Sequence, residues 1–261
     1  MKKQFKEIIV VLLMVLLCLP ADAAYAKQNS SSNLVTMTLS KKQKKTGYFY
    51  KGGKMQLKVP GTSPGKVKWN SSNKRIATVN KKGRVTAKKV GKTTITGKYK
   101  KRVYKFKVIV WSDNEYVRRW AKDWVRQYID SSYSPFDKVL YAEFFVSNYL
   151  SYGTAKGALD VLKKGRGTCV SGNRLLVELL KAMGFSAKLR KAVNDDMSKY
   201  PENLIFMSEH HNVKVKINGR YYYVDGTPES GLLYMSSDTE PIYYAYLENG
   251  EYVEEINKLP R

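Results

Sequence analysis

Two patterns of apolar and polar residues divide the chain, one with a period of two and one with a period near four. Up to residue 110, short runs of β-branched and aromatic residues alternate with polar ones between Gly, Pro, Ser and Asn, which predicts strands joined by turns. The clearest runs are residues 55–59, 66–69, 93–96 and 103–110. Short strands at this spacing predict a small antiparallel sandwich.

Beyond residue 110 the apolar residues recur at helical spacing. Asp113 can cap a first helix whose aromatic residues predict a buried stripe. A second helix is predicted after Pro135, and a third over residues 155–164, ending at Gly165. The first stripe contains Tyr116, Trp120, Trp124 and Tyr128, and the second helix carries Val139, Leu140, Phe144, Phe145 and Tyr149.

A fourth predicted helix begins at Cys169. Thr168 is a natural N-cap, and Gly184 ends the helix. In the first turn, backbone N–H groups without a helical partner and the positive end of the helix dipole favour a thiolate and suit the binding of an oxyanion. The apolar face of this helix contains Leu175, Leu176, Leu179, Leu180 and Met183.

A hairpin is predicted around Asn218-Gly219, the strongest short signal for a two-residue turn. If those two residues form the loop, Ile217 pairs with Arg220 and the register places Asp225 opposite Asn212.

That register distinguishes two adjacent histidines. Asp225 lies on the same face as His210 and diagonal to it, whereas His211 points to the other face. A bulge of one residue near the start of the strand would exchange the two histidines. The tyrosines 221–223 are interpreted as sheet packing and groove wall.

The set Cys169, His210 and Asp225 suits a thiol nucleophile. The imidazole generates the thiolate and moves a proton, the carboxylate fixes its tautomer, and attack on an amide or ester carbonyl gives a thioester. Hydrolysis or aminolysis completes the cycle. No acidic loop is typical of a calcium site, and two histidines with one cysteine make a poor zinc set, so we predict no metal and no other cofactor.

The N-terminus predicts export. A basic start, an apolar run at 8–19 and the small residues Ala24 and Ala26 are typical of a signal peptide over residues 1–26, the alternative being an uncleaved membrane anchor. Residues 27–33 are predicted to form a flexible leader. Because Cys18 leaves with the signal peptide, Cys169 has no intrachain disulfide partner, and nucleophilic chemistry is one reason to keep it.

Charge separates the remaining chain into two predicted domains, residues 34–110 and 111–261. The net charge of the chain is +25. Residues 27–110 contain 24 Lys and Arg and no Asp or Glu, whereas residues 111–261 contain 20 basic and 20 acidic residues. Such a field predicts attraction to polyanions. The expected partners are anionic polymers of the cell surface, with nucleic acid disfavoured outside the cell. Aromatic residues between the lysines fit either core packing or a stacking platform.

The first domain resembles the group 2 bacterial Ig-like domain. The resemblance covers residues 34–110 and rests on the segments KWNSSN (68–73), IATV (76–79), GRVTA (83–87) and GKTTI (91–95). It implies a β-sandwich of extracellular surface proteins, a spacer or adhesive module without catalysis.

Residues 115–235 resemble the transglutaminase-like superfamily, which has a papain-like α+β fold. The resemblance implies catalytic roles for Cys169, His210 and Asp225. It rests on residues 137–152 as a helical lead-in, 167–184 as the nucleophile helix and 210–227 as the His–Asp hairpin. The segment 171–173 and Asn212 depart from residues common in that family, so we expect a different substrate preference.

Three functions remain open. The first is a secreted or cell-surface thiol enzyme, an acyltransferase or a cysteine peptidase, that acts on protein or peptide amides, with the cell wall as a candidate location and the basic domain as its attachment. The second is a non-catalytic surface or scaffold protein that retains the fold. The third is an adhesin whose activity is polyanion binding by residues 27–110.

Overall fold

A computed structural model describes residues 36–38, 45–191, 210–228, 233–237, 241–248 and 251–255. The predicted signal peptide and leader lie outside these residues. The chain divides into two compact units, with residues 33–128 in one and residues 129–261 in the other. The first is an Ig-like β-sandwich and the second is an α/β region.

The first unit contains two four-stranded sheets. One has the order β1 (Thr36–Thr38), β3 (Lys54–Lys58), β6 (Arg84–Ala87), β5 (Ala77–Val79); the other has the order β2 (Lys45–Phe49), β8 (Arg102–Val110), β7 (Gly91–Tyr99), β4 (Lys68–Ser71). The sandwich is not purely antiparallel as predicted, because β1 pairs with β3 and β2 with β8 in parallel. In both sheets the parallel strand is the first in the chain and lies at an edge, β1 beside β3 and β2 beside β8.

Period-two alternation builds the core of this sandwich. In β8 the side chains of Tyr104, Phe106 and Val108 are buried, whereas Lys105 and Lys107 between them are exposed. The aromatic residues of the sandwich therefore serve mainly as core, the first of the two predicted roles. The buried cluster is Phe49, Leu57, Val59, Val67, Ala77, Val85, Ala87, Ile95, Tyr104, Phe106, Val108 and Val110.

Helix α1 (Asp113–Tyr128) belongs to the first unit, although the change in charge near Trp111 assigned it to the second domain. Aromatic contacts explain the difference. Tyr48 stacks on Trp111 with ring centroids 4.4 Å apart, and Tyr50 meets Tyr116 edge-on at 5.1 Å. Composition changes at residue 111, but packing continues through the helix that follows.

The burial of α1 differs from the predicted aromatic stripe. Its buried residues are Val117, Ala121 and Trp124. Residues four apart are displaced by about 40° around a helix with 3.6 residues per turn, so a row of four cannot keep to one narrow face. The capping side chain also differs, since Ser112, and not Asp113, accepts a hydrogen bond from the Glu115 N–H (3.3 Å).

In its described residues, the second unit combines three helices with a six-stranded antiparallel sheet and a two-stranded parallel one. Helix α4 packs against α2, α3, β11 and β12. The helices are α2 (Pro135–Tyr149), α3 (Ala158–Lys164) and α4 (Cys169–Ala182), and the short parallel pair is β9 (Ser151–Tyr152) with β10 (Arg166–Gly167). The larger sheet runs in chain order through β11 (Ser186–Lys191), β12 (His211–Ile217), β13 (Arg220–Val224), β14 (Leu233–Ser237), β15 (Pro241–Glu248) and β16 (Glu251–Glu255).

The predicted starts of the helices vary in accuracy. Helix α2 starts at Pro135 as predicted, with a capping box between Ser134 and Asp137. Helix α3 starts three residues later than predicted. The Asp160 carboxylate accepts a hydrogen bond from the Lys156 N–H (3.1 Å), which holds the residues before the helix in a turn.

The predicted hairpin register is confirmed. Ile217 pairs with Arg220, and the loop residues Asn218 and Gly219 have φ angles of 48° and 87°. Two consecutive residues with positive φ form the tight turn that matches the twist of the strands. The pair Val213 and Val224 follows in the same register, so the next two positions are Asn212 and Asp225.

Candidate active site

Cys169 is the first residue of helix α4. Thr168 caps the helix as predicted, since its Oγ1 accepts a hydrogen bond from the Ser171 N–H (3.4 Å) while the Ser171 Oγ accepts one from the Thr168 N–H (2.9 Å). This reciprocal cap fixes the direction in which the chain enters the helix. The cysteine is 5% exposed and is therefore buried.

His210 and Asp225 lie at the same end of the β12–β13 hairpin. His210 directly precedes β12, and Asp225 directly follows β13. The Nε2 atom of His210 and the Oδ2 atom of Asp225 are hydrogen bonded, and both side chains are buried. Cys169 also acts on the imidazole, since a hydrogen bond and the charge of its sulfur contribute to the pKa of His210.

The charges of the three groups are coupled. Burial lowers the pKa of His210, but hydrogen bonds to Asp225 and Cys169, together with the attraction of their charges, outweigh it and raise that pKa to about 10. Burial raises the pKa of Asp225, but the hydrogen bond and charge of His210 outweigh it and hold that pKa below its ordinary value. These neighbours therefore stabilise the protonated form of the His210 imidazole.

Asn173 joins helix α4 to both strands at the open end of the hairpin. Its Nδ2 donates to the His211 carbonyl oxygen (2.8 Å) and to the Asp225 Oδ1 (3.0 Å), and its Oδ1 accepts from the Gly226 N–H (2.7 Å). The side chain is fully buried. One amide therefore sets the position of Cys169, four residues earlier on the same helix, relative to His210 and Asp225.

Asp225 is held by three further hydrogen bonds. Its Oδ1 accepts from the N–H (2.9 Å) and the hydroxyl (2.6 Å) of Thr227, and its own N–H donates to the Oε1 of Glu143 (3.0 Å). Glu143 lies on α2 and is fully buried. With Oδ1 committed to these donors, Oδ2 is the oxygen that faces the imidazole.

Gly172 lets helix α4 approach the end of the hairpin closely. A Cβ atom at this position would lie 2.6 Å from the Cδ of Pro228 and 2.8 Å from the carbonyl oxygen of Gly226. The segment 171–173, which departs from the family that the chain resembles, thus has a local role: a capping serine, a glycine at the contact and the bridging Asn173.

Tyr152 is a further residue near the sulfur. Its backbone pairs with Gly167, two residues before Cys169, and the neighbouring Gly153 N–H donates to the Gly167 carbonyl oxygen (2.9 Å). Burial and the negative charge of Cys169 raise the pKa of its hydroxyl. The side chain is 44% exposed, so Tyr152 is open to solvent beside Cys169.

The structure brings together all three residues predicted for the site, and it separates His211 from them. His211 enters the network only through its carbonyl oxygen, which accepts from Asn173. Tyr222 packs edge-on against Phe136 with centroids 5.2 Å apart, as sheet packing. Sequence reasoning missed Asn173, Glu143 and Tyr152. The spacing of four from Cys169 to Asn173 was the one available signal, because such residues share a helix face.

The described part of the chain shows neither a metal cluster nor a membrane helix. Within it, no three His, Cys, Asp or Glu side chains form a group that would hold a metal ion. No helix there has the length and apolar character needed to cross a bilayer.

Comparison with known proteins identifies the family of the sandwich in the first unit. Residues 35–110 match the bacterial Ig-like domain (group 2), and the sandwich is a domain of that family. No transglutaminase-like domain is found by the same comparison, and no curated protein gives a significant match.

Solved structures add little. The cysteine protease inhibitor EhICP2 from Entamoeba histolytica is 14% identical with a TM-score of 0.21, over 31% of this chain and 100% of its own. Domains 1–6 of the surface layer protein SbsC are 14% identical with a TM-score of 0.22, over 82% of this chain and 24% of theirs. These scores are too low to indicate a shared arrangement.

Proposed function

We propose that this protein is a secreted thiol enzyme that transfers or hydrolyses acyl groups of protein or peptide amides. The observation that carries the proposal is the placement of Cys169 at the start of a capped helix, facing a buried and hydrogen-bonded pair of His210 and Asp225. The reciprocal cap, Asn173 and Glu143 hold the three groups in fixed positions, although they come from different elements. Such fixed positions suit catalysis.

The proposed reaction follows from the arrangement. With the proton already held on His210, the Cys169 sulfur attacks the carbonyl carbon, and the backbone N–H groups of the first turn of α4 stabilise the oxyanion. The imidazolium then protonates the departing amine, leaving a thioester on Cys169. Water or a second amine, deprotonated by His210, attacks the thioester and restores the thiol. Asp225 holds the orientation of the imidazole throughout.

We also propose that residues 111–261 contain a transglutaminase-like domain of papain-like α+β fold. The resemblance of residues 115–235 supports it, as does the order of a nucleophile helix followed by a His–Asp hairpin. The predicted signal peptide supports a secreted or surface location, and the basic Ig-like domain supports attachment to an anionic polymer there.

A non-catalytic role is the second candidate, and the burial of Cys169 favours it. Cys169 is 5% exposed as a residue, which offers little area for attack, and in this alternative the same network serves only to hold a binding groove together. The two candidates differ in the reactivity of the thiol.

Alkylation of Cys169 by iodoacetamide tests the proposal, with His210→Ala compared against its neighbour His211→Ala. We expect the full chain to react at pH values where an ordinary thiol is largely protonated, about pH 6. We expect His210→Ala to slow the reaction at that pH by on the order of tenfold or more, and His211→Ala to change it little. An inert thiol, or equal effects of both substitutions, would support the non-catalytic role.

The acceptor is identified by a second measurement. Peptides containing glutamine are incubated with the enzyme in the presence and absence of a small primary amine, and their masses are followed. Exchange of ammonia for the amine identifies an acyltransferase, whereas cleavage or loss of ammonia with gain of water identifies a hydrolase. Neither product, with a reactive thiol, would exclude these amides as substrates.

A further inference from the structure

A concave pocket of about 500 Å³ opens on the sheet of the Ig-like unit formed by β1, β3, β6 and β5. It lies beside the turn that joins β5 to β6, at the position where Gln56 pairs with Arg84. Its lining consists of three cationic side chains and two amides: Lys81, Lys82, Arg84, Gln56 and Asn80.

The backbone beneath these cations is held in place by side-chain hydrogen bonds. The Oδ1 of Asn80 accepts from the N–H groups of Lys82 (3.0 Å) and Arg84 (2.9 Å), and the Nε2 of Gln56 donates to the Lys82 carbonyl oxygen (2.6 Å). The two amides that line the pocket therefore also fix the turn. A ligand would bind without first ordering this turn, so the entropy cost of binding is smaller.

The charge of the pocket is not balanced by its own segment. Residues 27–110 contain no Asp or Glu, and Lys81, Lys82 and Arg84 are all exposed. Three like charges on one rigid turn repel each other in the free protein, and an anion placed between them relieves that repulsion.

We propose that this pocket binds phosphate groups of a phosphate-bearing polymer at the cell surface. The planar guanidinium of Arg84 offers paired donors that match two phosphate oxygens, and the two ammonium groups supply charge around them. All five lining residues carry cationic or amide groups, and none is an apolar residue, which favours a chain of phosphates over a lipid surface. The inference rests on the proposed surface attachment and is independent of the chemistry at Cys169.

A matched pair of triple variants tests the pocket in the full chain. One is Lys81→Gln, Lys82→Gln, Arg84→Gln; the control is Lys92→Gln, Lys105→Gln, Lys107→Gln, which removes three exposed charges from the other sheet. The probe is long-chain inorganic polyphosphate, with affinity measured over a series of salt concentrations. We expect the pocket variant to lose on the order of tenfold or more in affinity and to show a shallower salt dependence, and the control to lose less than about threefold.

Equal losses in the two variants would overturn the pocket and leave a diffuse field. Thermal unfolding of both variants shows whether the sandwich is intact, and single substitutions at Lys81 and Arg84 replace the triple variant if it is not. A parental chain that binds no polyphosphate would remove the attachment proposal itself.

Two further probes separate phosphate polymers from other anions. Polyglutamate presents carboxylates, and vesicles of phosphatidylglycerol present phosphates on a membrane. We expect both to bind more weakly than polyphosphate and to respond less to the pocket substitutions; equal binding of either would overturn the assignment to a phosphate polymer. Alkylation of Cys169 in the pocket variant should equal that of the parent, so failure of this inference and failure of the thiol chemistry are distinguishable.

Discussion

Two neighbouring histidines of this chain occupy different environments. His210 is hydrogen bonded to Asp225 and coupled to Cys169, whereas His211 supplies only a backbone oxygen to the network. Their residue type is the same, so composition cannot distinguish them. The alternation of side chains along β12 does, because adjacent residues of a strand point to opposite faces. The register of the hairpin is therefore enough to pair Asp225 with His210 and not with His211.

The first prediction concerns pH. The folded-state pKa of His210 is raised from 6.5 to about 10, so protonated His210 stabilises the fold fully below about pH 6.5, and this contribution is lost as the pH rises through 10. The pKa of Asp225 is lowered, so its contribution is present above 3.8 and is lost as the pH falls through its folded value. We expect the free energy of unfolding of the parent, relative to His210→Ala, to decrease from pH 6.5 to 10 in urea titrations.

Ring proton signals in NMR provide a direct check, since the chain has only two histidines. We expect Asp225→Asn to lower the titration midpoint of His210, because it removes the carboxylate charge. A His210 midpoint that does not move would contradict the coupling.

The second prediction concerns Asn173. Asn173→Ala removes three hydrogen bonds and leaves the Gly226 N–H and the His211 carbonyl oxygen buried, so we expect a loss of about 3 kcal/mol in the free energy of unfolding. Asn148→Ala is the control, because that half-buried amide bonds only within its own helix, and we expect a loss of about 1 kcal/mol or less. Equal losses would show that Asn173 does not join the elements.

At the scale of elements, local signals predicted some features and failed at others. The cap at Thr168 and the turn at Asn218 and Gly219 were predictable because each depends on a few adjacent residues. The buried face of α1 and the start of α3 were not, because they depend on which neighbours cover a helix and on a carboxylate that bonds back to the preceding turn.

The third prediction tests the turn that sets the register. Gly219 and Gly157 both have open space where a Cβ would lie, but Gly219 has a φ of 87° while Gly157 has an extended φ of 176°. We therefore expect Gly219→Ala to cost about 1 to 2 kcal/mol of unfolding free energy, and Gly157→Ala to cost little. Urea unfolding measures both, and a smaller loss at residue 219 than at residue 157 would refute the role of the turn.

At the scale of the whole molecule, charge and packing divide the chain at different places. The basic excess ends at residue 110, whereas the first compact unit extends through α1 to residue 128. The distribution of charge depends on the surroundings of the surface, whereas the boundary of a compact unit depends on which apolar faces pack together. Each unit has buried large side chains of its own, Phe106 in the first and Leu176 in the second.

The fourth prediction follows from these separate cores. We expect calorimetry to resolve two unfolding transitions, with Phe106→Ala lowering only one midpoint and Leu176→Ala only the other. Each substitution should cost about 3 to 5 kcal/mol in its own unit, because each empties space in a close-packed interior. A single transition shifted equally by both would mean that the units unfold together.

The sequence by itself determined the sandwich, the capped helix at Cys169 and the hairpin that pairs His210 with Asp225, because period, cap and turn act over a few residues. Only the tertiary structure decided what joins these elements. Asn173, Glu143 and Gly172 come from two helices and meet the end of the hairpin, over separations of 52 and 82 residues for the two side chains that bond Asp225. Contacts between residues so far apart depend on how whole faces pack, which no local pattern encodes.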